Sequence, residues 1–209
     1  KVFSGFSENN SSVRHCAVDA GKALVRAINP QALRLLIPFI IEGMENKEWR
    51  SKVRTLEIVV GLAAKAPLQM AQALPELVPV ISKQVWDTHR QVQTSSKHAL
   101  LAICTCIANP DIEPLVDKLV SVIGHPDEAM STLDALMGTT FVSRVDGATL
   151  SVIAPLLAKC LRERNAGMRR KAACVISNMC KLVMNPKDVA PFIPLLLPSL
   201  QKAVNETAD

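Results

Sequence analysis

The chain has 209 residues, 49% of them hydrophobic and 21% charged, which supplies a continuous core and argues against a disordered polymer. Aromatics make up only 3%, with no Tyr, so the core must be built from Leu, Val, Ile, Ala and Met, a palette that suits close-packed helices better than a β-sandwich. A formal charge of +5 and a pI of about 9.0 fit an acidic partner such as RNA, although net charge speaks to association and not to fold.

In chain order, the spacing of apolar residues predicts a lone helix over about 12–28. Helix pairs follow at 31–45 with 49–65, 69–86 with 89–108, 111–124 with 127–138, and 148–163 with 167–184. A last helix over about 187–204 has no partner. From Met168 to Val183 the residues Met168, Ala172, Val175, Ile176, Met179 and Val183 share one face at helical spacing. Val92, Ser96, Ala99, Ile103 and Ile107 do the same in an earlier stretch. No alternation of strand type has useful length.

Two ladders reveal a period of about 40 residues. Prolines inside apolar runs stand at Pro38, Pro79, Pro155 and Pro194, with Leu119 filling the place of a missing one. Turn residues follow eight later at Asn46, Asp87 and Asp127. The second ladder is Val13, Val53, Val92, Met130 and Met168, in steps of 40, 39, 38 and 38. Prolines at 30, 67, 110, 126 and 186 mark joints, where a missing amide does no harm. Those inside the first helices should bend them, because each removes an intrahelical hydrogen bond.

The reading is an all-α superhelix of HEAT-repeat kind, about five repeats with cut ends. Its units span approximately 1–29, 30–66, 67–109, 110–146, 147–185 and a partial 186–209. The fourth is irregular: its second helix meets Gly138-Thr139-Thr140-Phe141 and then the turn-like Asp146-Gly147, which predicts a break, either a capped linker or a contact loop. Each unit hides its apolar stripe only against its neighbours. A chain that starts with Lys1 in mid-pattern therefore reads as an excised piece of something longer, exposing apolar surface over 189–200. The isolated piece is expected to be monomeric, any dimer through that end being a product of excision.

Catalytic chemistry has no foothold in the pattern. There is no G-x-x-x-x-G-K-[ST], no G-x-S-x-G and no H-E-x-x-H, and His15, His89, His98 and His125 are scattered. The six cysteines form no C-x-x-C pair. Cys104 and Cys106 point apart on a helix, so buried free thiols in a reducing cytosol are expected, and no metal. No apolar run is long enough to span a membrane, and no signal segment is visible. No small-molecule substrate is implied.

One feature points outward. Arg162, Arg164, Arg169, Arg170 and Lys171 bracket a turn with only Glu163 opposing them, and Arg50, Lys52 and Arg54 form a smaller group at the same place in an earlier unit. On a solenoid such groups would line one edge and suit RNA phosphates or an acidic protein. For Arg54 and Arg169 an equal alternative is structural, an Arg at the start of a second helix bonding the preceding turn. With so few aromatics, RNA contact would be to backbone and shape, not stacked bases.

Residues 74–79 (LPELVP), Trp86-Asp87-Thr88, Thr139-Thr140-Phe141-Val142, residues 148–151 (ATLS), Pro155-Leu156-Leu157 and residues 178–183 (NMCKLV) occur in order, and this series resembles the N-terminal HEAT region of translation elongation factor three. A large HEAT-repeat activator of the starvation-response eIF2α kinase carries a similar segment. Trp49-Arg50-Ser51-Lys52 leans toward that activator, and residues 85–88 (VWDT) toward the elongation factor. The resemblance implies a cytosolic, ribosome-bound parent with two ABC-type nucleotide domains. Its HEAT array would touch rRNA and ribosomal proteins, while ATP turnover elsewhere promotes release of tRNA from the exit site. ATP would then belong to the parent, and this chain would hold no cofactor. A general protein-binding scaffold, such as a transport receptor, is the third reading.

Overall fold

A computed structural model describes residues 2–205. The chain divides into two compact units, residues 1–106 and 107–209, each taken here by itself. Among the described residues both are built from helices joined by turns. Among the described residues the β-structure is an isolated parallel bridge between Val145 and Val183.

The first unit contains α1 (Val2–Gly5), α2 (Ser11–Ala27), α3 (Ile37–Glu45), α4 (Trp49–Lys65), α5 (Pro67–Gln84) and α6 (Arg90–Cys104). Antiparallel neighbours pair as α1 with α2, α3 with α4 and α5 with α6, and two rows form across the pairs. One row runs α1, α3, α5; the other runs α2, α4, α6, with α4 against α6 the most extensive contact. This two-layer stacking is the HEAT architecture. The second unit repeats the scheme with α7 (Val116–Gly124), α8 (Ala129–Gly138), α9 (Gly147–Cys160), α10 (Ala166–Cys180), α11 (Pro186–Val189) and α12 (Ile193–Asn205). There α7 pairs with α8 and α9 with α10, while α7, α9 and α12 form one row and α8 and α10 the other.

Burial follows the apolar stripes. Val92, Ser96, Ala99 and Ile103 are buried on α6, and Ala172, Val175, Ile176 and Met179 on α10. Three small hydroxyls in this core bond their own helix: Ser96 to the Val92 carbonyl at 2.7 Å, Thr132 to Glu128 at 2.9 Å, Ser151 to Gly147 at 2.6 Å; those of Ser51 and Thr55 are buried without a partner among the described residues. Helices α3 and α4 come closest where Gly43 faces Thr55; a β-carbon on Gly43 would lie 2.5 Å from the Thr55 hydroxyl.

The prolines differ from expectation in an instructive way. Pro79 and Pro155 do lie inside α5 and α9, joined by Pro75 and Pro198. Pro38 and Pro194 instead stand in the first turn of α3 and α12, each preceded by a 3-10 stretch, Pro30–Leu36 and Ala190–Phe192. The ring removes a donor and collides with the carbonyl four residues back, so the chain meets that conflict by changing helix type. All four ladder prolines are exposed, whereas Leu119 is 1% exposed. Leu119 is therefore out of phase, and Asp117 and Lys118 are the outward residues there. Helix α10 stops at Cys180, leaving Val183 in the bridge to Val145 and outside the helical stripe.

The expected break in the fourth unit is an ordered strap over residues 139–146. Asp111 Oδ2 accepts the Val142 and Ser143 amides at 2.9 and 2.7 Å. Asn109 Nδ2 donates to the Arg144 carbonyl at 3.2 Å, and the Val145 amide donates to Leu182 at 3.1 Å. Asp146 then caps α9 by accepting the Thr149 amide at 2.9 Å. At the C-terminal end, Ile193 and Leu197 are 46% and 48% exposed, the apolar surface anticipated over 189–200.

Three cysteines depart from the expected burial. Cys104, Cys106 and Cys160 are buried, but Cys16, Cys174 and Cys180 are exposed. They sit on α2 and α10 outside the packed stripe, where a small, weakly polar side chain costs little. No described helix is long and apolar enough to cross a membrane.

Candidate functional site

The turns that display the cationic residues are built by Asn and Asp. Each accepts an amide two or three residues ahead: Asn10 from Ser12 (2.9 Å), Asn46 from Glu48 (2.9 Å), Asp87 from His89 (2.8 Å), Asn165 from Met168 (3.2 Å). Asn10 and Asn165 thereby cap α2 and α10, satisfying an amide that a helix start leaves unpaired, whereas Asn46 and Asp87 shape the turns before α4 and α6, whose cap residues are Glu48 and His89.

Four residues beyond the cap comes a latch. Arg14 donates to the carbonyls of Glu8 and Asn9 at 2.6 and 2.7 Å, and Arg169 donates to those of Glu163 and Arg164 at 3.0 and 2.9 Å. Gln93 reaches the equivalent carbonyl of Asp87 at 2.6 Å. Arg169 is 9% exposed, so it points into the turn and its charge is spent on carbonyl oxygens. Of the two roles open to Arg169, its recorded bonds are the structural one.

Lys52 occupies the same place after the Glu48 cap but turns elsewhere. Its Nζ lies 2.6 Å from Asp87 Oδ2, with side-chain exposures of 17% and 9%. Burial alone would raise the Asp87 pKa; the bonds from Lys52 and the His89 amide outweigh it and hold the carboxyl below its ordinary value. Arg54 pairs with Glu57 on its own helix at 2.7 Å. It misses the latch because α4 starts at Trp49, five residues ahead, whereas α10 starts three ahead of Arg169. Lys171 pairs with Asp134 of α8, and Arg162 Nε donates to Ser199 at 3.0 Å.

Arg164 and Arg170 remain. Both are exposed, both flank the start of α10, and neither makes an ion pair among the described residues. Arg50 is exposed as well, with its guanidinium carbon 4.6 Å from the Trp49 ring centre. Helices α4 and α10 have no acidic residue in the first turn. Cations there oppose the positive end of the helix dipole, so they do not serve helix stability. An arrangement of guanidinium groups at a helix start attracts anions; it offers no nucleophile and no acid–base pair.

Sequence reasoning passed over Arg14, Arg90, Trp49 and His89. Trp49 and His89 stack with ring centres 5.6 Å apart, from α4 and the turn before α6. The Val13, Val53, Val92 ladder held the signal, since Arg14 follows Val13 directly and the others lie within four residues before Val53 or Val92.

Comparison with known proteins decides the lineage. Residues 1–100 match the family model described as "EF3 N-terminal HEAT repeat", and residues 128–209 match "Elongation factor 3/GNC1 HEAT repeat". The chain belongs to the elongation factor 3 HEAT-repeat family. Elongation factor 3 of Gonapodya prolifera is 39% identical over 97% of the chain, and elongation factor 3B of Saccharomyces cerevisiae is 39% identical over all of it. Protein ILITYHIA of Arabidopsis thaliana is 35% identical over 95% of the chain. The chain spans about a fifth of the length of the two elongation factors, 19% and 20%, and 8% of the plant protein. It is thus an elongation-factor-3-type HEAT region, its matched segments being HEAT repeats. The ordered motifs from Leu74 to Val183 fall in the two matched segments.

Proposed function

We propose that this region docks a translation factor onto the ribosome, its exposed Arg164 and Arg170 meeting rRNA phosphates or acidic ribosomal surface. The observation that carries the reading is that these two guanidiniums are exposed at a helix start and make no ion pair among the described residues, in a chain of elongation-factor-3 lineage. Charged groups left in solvent at the wrong end of a dipole have their best use in contact with an anion. In this reading the parent protein works in the cytoplasm, carries ABC-type ATPase domains outside this region, and couples ATP turnover to release of tRNA from the exit site. The HEAT region supplies position and not chemistry.

The second reading is the ribosome-associated region of a large kinase activator. One observation favours it: the similarity to ILITYHIA, a protein more than twice as long as the elongation factors, as a large activator would be. Two ABC cassettes on the C-terminal side of the full-length gene would decide for the elongation factor; thousands of residues of further HEAT repeats would decide against it.

Docking itself is tested by cosedimentation of residues 1–209 with ribosomes over a salt series. Binding that weakens steeply with salt, and weakens further in Arg164→Glu/Arg170→Glu, supports it. Binding indifferent to both removes these arginines from the interface.

A further inference from the structure

The first unit carries a trough that ribosome docking through Arg164 and Arg170 does not use. It runs along the row of second helices. One hollow of about 340 Å³ has Phe6, Val18, Trp49 and Val53 as its apolar lining. A second, of about 240 Å³, shares Phe6 and Val18 and continues past Val25, Ile58 and Gly61. A third, of about 450 Å³, shares Val53 and adds Arg90. The walls are basic: Arg50 borders the first hollow and Lys22 and Arg26 the second, while Arg14 is latched to the Glu8 and Asn9 carbonyls and Arg54 faces Glu57, the lone carboxylate of the lining. Glu57 is already taken by Arg54.

An apolar floor between cationic walls asks for a ligand that is greasy on one side and negative on its flanks. RNA meets only half of that demand, because phosphates gain nothing from the half-buried Val18, Val25 and Val53, and the Trp49 ring already has Arg50 and His89 against it. An acidic amphipathic helix meets both halves, its apolar stripe in the trough and its carboxylates beside the guanidiniums. We infer that the trough between α2 and α4 binds an acidic amphipathic helix of a protein partner, a contact separate from ribosome docking.

The test uses residues 1–209 and fluorescence anisotropy. The probe is a fluorescein-labelled synthetic peptide with Leu at i, i+3, i+4 and i+7 and Glu elsewhere. Its comparators are a scrambled peptide of the same composition, poly-glutamate of equal length and single-stranded poly(U). The amphipathic peptide should bind at least about tenfold tighter than the scramble or poly-glutamate. Arg26→Glu/Arg50→Glu should weaken it about tenfold or more. Val53→Asp should also weaken it, while Lys118→Glu, on the second unit, should leave it unchanged; circular dichroism checks that each variant stays helical. Equal binding of the scramble would show a charged surface with no groove, and overturns the proposal. So does preference for poly(U) lost in the same arginine variant, and so does failure of the amphipathic peptide to bind the folded protein.

Discussion

Lys52 and Asp87 join consecutive helix pairs. The ammonium of a residue in α4 lies 2.6 Å from the carboxylate that also organises the turn before α6 by accepting the His89 amide. A single carboxylate thus holds two neighbours in register. Replacing it with Ala should remove both bonds and strand Lys52 in a part-buried site, at a cost of about 1–3 kcal/mol measured by urea unfolding. The pH dependence has a definite sign. Because the folded pKa is depressed, the contribution is complete above the unfolded carboxylate value of about 3.9 and is lost as pH falls through the folded value. Asp87→Asn should flatten this part of the acid-unfolding profile.

Arg169 gives a second prediction. Its Nη1 joins two carbonyls of the preceding turn from a nearly buried position, so Arg169→Ala should destabilise by about 1–3 kcal/mol, with Arg169→Lys recovering only part. Ribosome affinity per folded molecule should not change. If affinity fell while stability held, Arg169 would be a contact residue after all.

Two glycines should respond in opposite directions. Gly43→Ala drives a methyl group to 2.5 Å from the Thr55 hydroxyl between α3 and α4, an overpacking cost of about 1–3 kcal/mol. Gly138, the last residue of α8, has nothing within 4 Å of a built β-carbon and no positive φ. Gly138→Ala should therefore stabilise by about 0.4–1 kcal/mol. Thermal melts of the two variants provide the comparison.

The strap over 139–146 depends on Asp111. The Ser143 amide is the main influence on its carboxyl and lowers the pKa, burial works in the other direction, and the Val142 amide adds to the lowering. Asp111→Ala should loosen the strap, seen as faster amide exchange at Val142 and Ser143 and earlier proteolysis there. In the parent sequence the same loosening should appear on acidification, as pH falls from the unfolded carboxylate range through the lowered folded value.

Salt dependence provides the last prediction. If Arg164 and Arg170 each neutralise one phosphate, the double Glu variant should reduce the slope of log affinity against log salt by about 1.4–1.8. A variant that lowers affinity at every salt concentration without changing the slope would place these residues outside the phosphate contact.

Period and polarity by themselves determined a great deal here. A helix must show an apolar face every three to four residues, so the stripes on α6 and α10 were legible before any coordinates, as were the turns at Asn46 and Asp87 and the break after Gly138. The family could be read as well, from the ordered motifs between Leu74 and Val183. Tertiary structure alone decided which cations face solvent. Arg169 and Arg170 are adjacent in sequence, yet one is latched into a turn and the other exposed, since a step of about 100° along a helix separates inside from outside. It also decided that Lys52 would find Asp87, that Pro38 would open a helix and not bend one, and that apolar side chains from α2 and α4 would share a trough. These outcomes depend on partners about one repeat away, and a helical period carries no information about what stands opposite.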